Sequence, residues 1–270
     1  MTAEQSVALF AVEQQVRTAV AAHTAAATAA INAALTPAIR RTDPASGTGS
    51  QVVSDPATHQ RIVAALTACQ AQCEDTASSG YSAAAVIALA AMLVLFAEFG
   101  HDLPARPPTL VPGGATGTLA TLLAGITLAF ADARTSIVND VAAGFDGVSG
   151  SRSGTRTARI VVAHGAVSQA VRRLNGRVTA AAVVGVYAGN NETELVLWRE
   201  YQQINPYIGI RKRWQVRAAD PCPACRALDG TTAGLDEEFH HGDDRDPPVF
   251  GRLLGPPRHP NCRCRLVFDT

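Results

Sequence analysis

Two short stretches near the end of the chain carry most of its reactive side chains. Cys222-Pro-Ala-Cys225 is a CxxC knuckle, and His259-Pro-Asn-Cys262-Arg-Cys264 begins 34 residues after Cys225. Thiolate and imidazole ligands in two tight groups joined by a longer loop fit a structural zinc site, in which four soft ligands form a tetrahedron and leave no place for water. The prolines inside both groups pre-bend the backbone and lower the cost of ordering it. Five ligands compete for four places. Cys222 and Cys225 form the firmer half; His259 and one of Cys262 or Cys264 complete the set, with His240 and His241 as outside candidates. Free thiols or two disulfides are the alternative states of these sulfurs. A catalytic cysteine–histidine pair is disfavoured, because closeness in sequence does not supply the geometry that activates a nucleophile.

The compartment bears on that choice. The N-terminal MTAEQSVALFAVEQQ lacks the basic n-region and unbroken apolar stretch of a secretory signal, so the six cysteines are expected in a reducing environment, where metal sites outnumber disulfides. Cys69 and Cys73 stand apart from the terminal cluster. They continue an apolar stripe through Ile62 and Leu66, where a thiol acts as a small hydrophobe, so core packing is expected for both.

The elements that must position the cluster follow from periodicity. Residues 3–40 are Ala-rich, with larger apolar residues at Leu9, Val12, Val16, Val20, Ile31, Leu35 and Ile39, one face of a helix that Pro37 should kink or end. Residues 42–56 read as a loop, and Asp55-Pro56 as the N-cap and first position of a helix over about 57–78. Two apolar runs follow, 81–100 and 116–133, joined by the Pro-rich HDLPARPPTLVPGGA. At about 15–17 residues they stand at or just under bilayer-spanning length, so a buried helical hairpin is expected and membrane contact through 83–131 is the less favoured reading. SGSRSGT (149–155) reads as a flexible joint between a helical region 1–150 and a C-terminal region 151–270. Beyond it, helices are expected with a break near Asn175-Gly176, then helical character over 192–204, an alternating strand in IRKRWQVRAA, and about 50 loop-rich residues that need an added staple. The expected fold is thus mainly α, an Ala-rich helical N-terminal region plus an α+β C-terminal lobe with a small zinc-stapled β element.

Composition restricts function. Hydrophobic residues make up 47% of the 270 and the formal net charge is zero, which excludes a disordered acidic tail and a uniformly basic nucleic-acid coat. The charge is polarised: residues 1–150 carry a balance of −5 and residues 151–270 one of +5, with 11 basic and 3 acidic residues in 151–217. That stretch suits phosphate or an acidic protein surface, or is simply a solvated helix face. No Gly-rich phosphate loop, HExxH or GxSxG occurs, and Asp243, Asp244 and Asp246 read as a solvated loop, so no enzymatic activity is expected.

WQVRAADPCPACRALDG (214–230), followed by a Phe-containing loop, Pro-Pro and HPNCRC (259–264), closely resembles the C-terminal domain of phage minor head proteins of the Mu F-like head morphogenesis family. Trp214, Asp220, Leu228-Asp229-Gly230 and His259 through Cys264 carry the likeness; Asn191-Glu192-Thr193, where that family often has Arg-Thr-Glu, is a looser match. The resemblance covers about 155–270 and is absent from the N-terminal half. It implies a non-enzymatic virion component near the portal vertex, present in the host cytoplasm during assembly, that aids head assembly, DNA packaging or DNA ejection. Portal protein or major capsid protein would be its partner, with packaged double-stranded DNA met through Arg-rich 152–217 and self-association through the N-terminal helices. Two other readings remain: an ejected protein whose 83–131 hairpin enters the host envelope, and a zinc-stapled nucleic-acid-binding module, which lacks a base-reading helix or aromatic stacking platform.

Overall fold

Alanine-rich sequence with apolar residues every three to four positions favours long helices, and long helices dominate the computed structural model, which describes residues 3–42, 48–98, 118–149, 155–240, 254–259 and 262–269. In chain order the elements are α1 (Ala3–Arg41), α2 (Gly49–Ser54), α3 (Pro56–Glu98), α4 (Thr118–Ser149), α5 (Arg156–Ile204), β1 (Arg211–Gln215), α6 (Pro223–Leu228), β2 (Thr232–Gly234) and β3 (Arg265–Asp269). The expected class, mainly α with a small C-terminal β element, is what the chain adopts.

Two compact units are present, one made of Met1–Arg17, Thr76–Leu123 and Ala180–Thr270, the other of Thr18–Asp75 and Ala124–Thr179. Residues 150–154 of the expected joint lie outside the described residues, as do the Pro-rich 101–115 and the acidic 241–250.

Among its described residues the second unit is built from helices and holds no strand. The expected stripe on α1 is its core: Val20, Ile31, Leu35 and Ile39 are buried, together with Ile62, Leu66, Cys69 and Cys73 of α3. Contact with Cys69, then burial, pushes the Cys73 thiol up, while contact with Cys73 draws the Cys69 thiol down. Pro37 does not end α1, since Ala38 and Ile39 beyond it are buried and outweigh one missing backbone bond. Nor does α5 break at Asn175-Gly176. Leu174 and Val178 on either side are core, and Asn175 accepts a hydrogen bond from Thr24 Oγ1 at 3.0 Å. The expected 42–56 loop contains α2, opened by a Thr48–Gln51 capping box. The signal was Thr-x-x-Gln before Val52 and Val53. Asp55 caps α3 as expected, its Oδ2 accepting from Thr58 N at 2.9 Å.

The two helices expected over 57–78 and 81–100 belong to one, α3, whose part from Thr76 on falls in the first unit. Gly80 lies inside it because a Cβ there would stand 2.7 Å from a Val16 methyl and 3.3 Å from one of Val186. The apolar run 83–97 is therefore one end of a helix, and it is only part covered. Ala84, Ala88, Met92 and Phe96 are buried, while Val86 and Val94 are more than half exposed. By length and composition alone, α1, α3 and α4 each contain a stretch long and apolar enough to cross a membrane.

Met92 and Phe96 enter the core of the C-terminal lobe. Phe96 stacks on Tyr201 and meets Trp198 edge-on, with ring centroids 4.9 and 5.5 Å apart. The lobe's antiparallel sheet has the order β2-β1-β3. Alternation in β1 sends Lys212 and Trp214 inward and Arg211 outward, as the sequence pattern required, although the strand is shorter than the alternating run. Pairing of Trp214 with Leu266 and Gln215 with Arg265 brings the C-terminal segment beside the turn that leads into α6.

Candidate metal centre

The first ligand pair is set by the start of α6. Cys222 is the N-cap, Pro223 occupies the first turn, and the Cys222 Sγ accepts the Cys225 N–H at 3.3 Å. This knuckle points both sulfurs to one side, as CxxC spacing with Pro at the first helical position predicts. The last residue of the helix and the turn beyond it hold it down. Leu228 is fully buried, Asp229 Oδ1 accepts from Val216 N at 2.9 Å, and Gly230, at φ +77, donates its N–H to Trp214 O at 2.9 Å. In the second group Cys262 N donates to His259 O at 3.1 Å, and Cys264 is followed directly by β3.

The two groups meet. His259 Nε2 lies 3.0 Å from both Cys222 Sγ and Cys225 Sγ, and Cys225 Sγ lies 3.8 Å from Cys262 Sγ. Cys222, Cys225 and His259 form one cluster with all ligand atoms within 4.8 Å of one another; Cys225, Cys262 and Cys264 form a second, with Cys225 common to both. All five residues singled out in the sequence are therefore brought together, and they could hold a metal ion. Two zinc–sulfur bonds of about 2.3 Å at the tetrahedral angle place the sulfurs about 3.8 Å apart, which is the Cys225–Cys262 separation. The imidazole stands roughly half an ångström nearer the sulfurs than a shared zinc would hold it, a shift that side-chain rotation supplies. His240 is exposed and belongs to neither cluster, and His241 lies outside the described residues.

Burial and charge favour a cation here. Cys225, Cys262 and Cys264 are buried, and Cys222 and His259 are half-buried. Contact with Cys262, then with Cys264, pushes the Cys225 thiol up, while contact with Cys225, then Cys264, pulls Cys262 down. A divalent ion lets the thiolates coexist by supplying the charge they lack.

Sequence reasoning did not assign the residues that hold the second group in place. Asn191 on α5, buried at 2% exposure, donates from Nδ2 to Pro256 O and Cys264 O at 3.3 and 3.2 Å and accepts the Leu266 N–H at 3.1 Å. Arg263, between two of the cysteines, donates to Glu13 of α1 at 2.8 Å, and Glu13 also accepts from Tyr187 at 2.7 Å. Residues 188–195 of α5 are buried on every side. Tyr81 of α3 donates to Glu192, and Gln5 of α1 donates to Asn190 and Glu194 at 3.1 and 2.7 Å. The signal was there: Asn-Asn-Glu-Thr-Glu interrupts an apolar helix with five polar residues in a row, so some must face inward.

Compared with protein-family models, curated proteins and solved structures, the chain matches none.

Proposed function

We propose that the chain is a structural, non-enzymatic phage head protein of the Mu F-like kind, whose C-terminal lobe is stapled by one zinc ion. The observation that carries the reading is the convergence of the CxxC and HxxCxC groups, 34 residues apart, in two ligand clusters that share the buried Cys225. Cys222, Cys225, His259 and Cys262 are the proposed ligands, because the 3.8 Å Cys225–Cys262 separation is a tetrahedral edge, and Cys264 lies beside them. Zinc supplies no chemistry there beyond cross-linking. It ties the C-terminal segment to the α6 knuckle in a lobe with little regular structure. The motif residues support the family part of the reading by having work in this lobe: Trp214 is fully buried at its centre, and Asp229 and Gly230 close the turn after α6.

Portal or major capsid protein is the proposed partner, with the virion, near the portal vertex, as the place of action. Packaged DNA is a lesser partner for 152–217. In that stretch Arg173, Arg177, Arg199 and Arg213 pair with Asp140, Asp132, Asp236 and Asp269, and Arg159 is buried over the Phe145 ring, so much of its positive charge is already balanced. Elemental analysis of protein purified without a His-tag under reducing conditions should find one zinc per chain, lost with Cys222→Ser. Mass spectrometry of purified virions should find the chain at low copy number. Metal-free folded protein would remove the staple, and absence from virions would remove the head reading.

A second reading has its own support: the exposed Val86 and Val94 on an uncharged stretch of α3 suit an ejected protein whose 83–131 region enters an envelope. Partition of the full chain into anionic lipid vesicles separates the two, since a head protein that never meets lipid stays in the supernatant.

A further inference from the structure

We infer that Asn191 is a positioning residue for the metal centre, and that it makes ion binding and docking of the ligand segment onto α5 a single coupled transition. The inference rests on the zinc reading above. Its basis is where the three hydrogen bonds fall. Pro256 O is three residues before His259, Cys264 O belongs to the second ligand group itself, and Leu266 N is two residues beyond it. One buried amide thus brackets the His259–Cys264 group at both ends, while the ion would hold its middle. Two carbonyls on one side and an N–H on the other also fix which way the amide points.

The sheet pairing of Leu266 with Trp214 and the Arg263–Glu13 pair hold the segment at other points, but without the amide Pro256, Cys264 and Leu266 lose their bonds to α5, and the ion must meet more of the entropy cost of fixing the group. Without the ion, the amide holds the ligand group only at Pro256, Cys264 and Leu266 and leaves His259 and Cys262 between them without the cross-link to α6. Coupling of this kind is reciprocal: whatever Asn191 adds to ion affinity, the ion adds to the Asn191–Leu266 bond. Partners one shell out from a metal typically change its affinity about 10–100-fold when lost. Aspartate is the sharpest probe. It keeps an oxygen for the Leu266 N–H but sets a second oxygen against the Pro256 and Cys264 carbonyls, with no donor between them.

The test is zinc competition against a chromophoric chelator on the full chain, comparing wild type, Asn191→Asp and Gln5→Leu. Gln5→Leu removes two neighbouring bonds to α5, to Asn190 and Glu194, while leaving the three Asn191 bonds to the ligand segment in place, and so reports any general loosening of the helix. Asn191→Asp should bind zinc about 10–100-fold more weakly, with Gln5→Leu unchanged. Equal affinity for Asn191→Asp and wild type, or equal weakening in both variants, would overturn the inference and leave the zinc reading standing. A wild-type chain that takes up no zinc overturns both, and is seen without any variant. If Asn191→Asp loses its helicity, hydrogen exchange at Leu266 N in wild type decides: protection that rises with zinc supports the coupling, and protection indifferent to zinc overturns it.

Discussion

Replacing Gly189 by Ala tests whether α5 lies directly against the backbone of α3. A Cβ at 189 would stand 2.3 Å from Tyr81 O, 3.1 Å from Tyr81 C and 3.3 Å from its Cα, against 3.4–4 Å for ordinary contact. The obstacle is main chain, so no rotamer change relieves it, and the helices must part by about 1 Å at the point where Tyr81 donates to Glu192. Overpacking of this kind costs about 1–3 kcal/mol, and a backbone obstacle belongs at the upper end. Alanine returns up to about 1 kcal/mol through helix propensity, leaving a net loss of about 2 kcal/mol. Gly176 in the same helix is the control. Nothing lies within 4 Å of a Cβ there, so Gly176→Ala should gain about 0.5–1 kcal/mol. Equilibrium urea unfolding, followed by helicity and by Trp198 and Trp214 fluorescence, reads both. The same substitution in one helix should move the midpoint in opposite directions. A Gly189→Ala protein as stable as Gly176→Ala would refute the close approach.

Cys264→Ser should keep one zinc per chain while Cys262→Ser loses it; the reverse result, read by elemental analysis, would exchange their roles. Lys212 is fully buried, donates to Leu235 O at 2.9 Å, and has its pKa lowered from 10.5 to about 8 by burial, then by Arg199. The folded chain releases that proton near pH 8 and the unfolded chain only near 10.5, so between them the unfolded state binds more protons and stability rises with pH. Wild type should gain up to about 3 kcal/mol on Lys212→Met across that window, and a flat difference would show that the ammonium is not buried. Glu13→Gln removes the charge that Arg17 and Arg263 share at 2.7 and 2.8 Å. Both guanidinium groups are more than a third exposed, so water screens the loss; about 1–2 kcal/mol is expected in urea, and no change would mean that Glu13 does not anchor the ligand segment.

Much of this was legible in the chain. Helical periodicity picked out Val20, Ile31, Leu35 and Ile39 as core, and placed Cys69 and Cys73 there rather than at a metal. CxxC and HxxCxC identified the ligand groups because metal geometry restricts spacing along the chain as well as in space. Breakpoints were the weak part. Pro37, Ser78-Ser79-Gly80 and Asn175-Gly176 are local signals for ending a helix, worth about 1–3 kcal/mol each, and buried neighbours on both sides override them. Sequence alone determined which side chains could bind an ion, since ligand type and short spacing are covalent facts. Only the tertiary structure decided that the two groups meet, that Cys225 is common to both clusters, and that Asn191 and Glu13 hold the second group. Those contacts join residues 34 to 250 positions apart, and no local propensity reports a distance that packing sets.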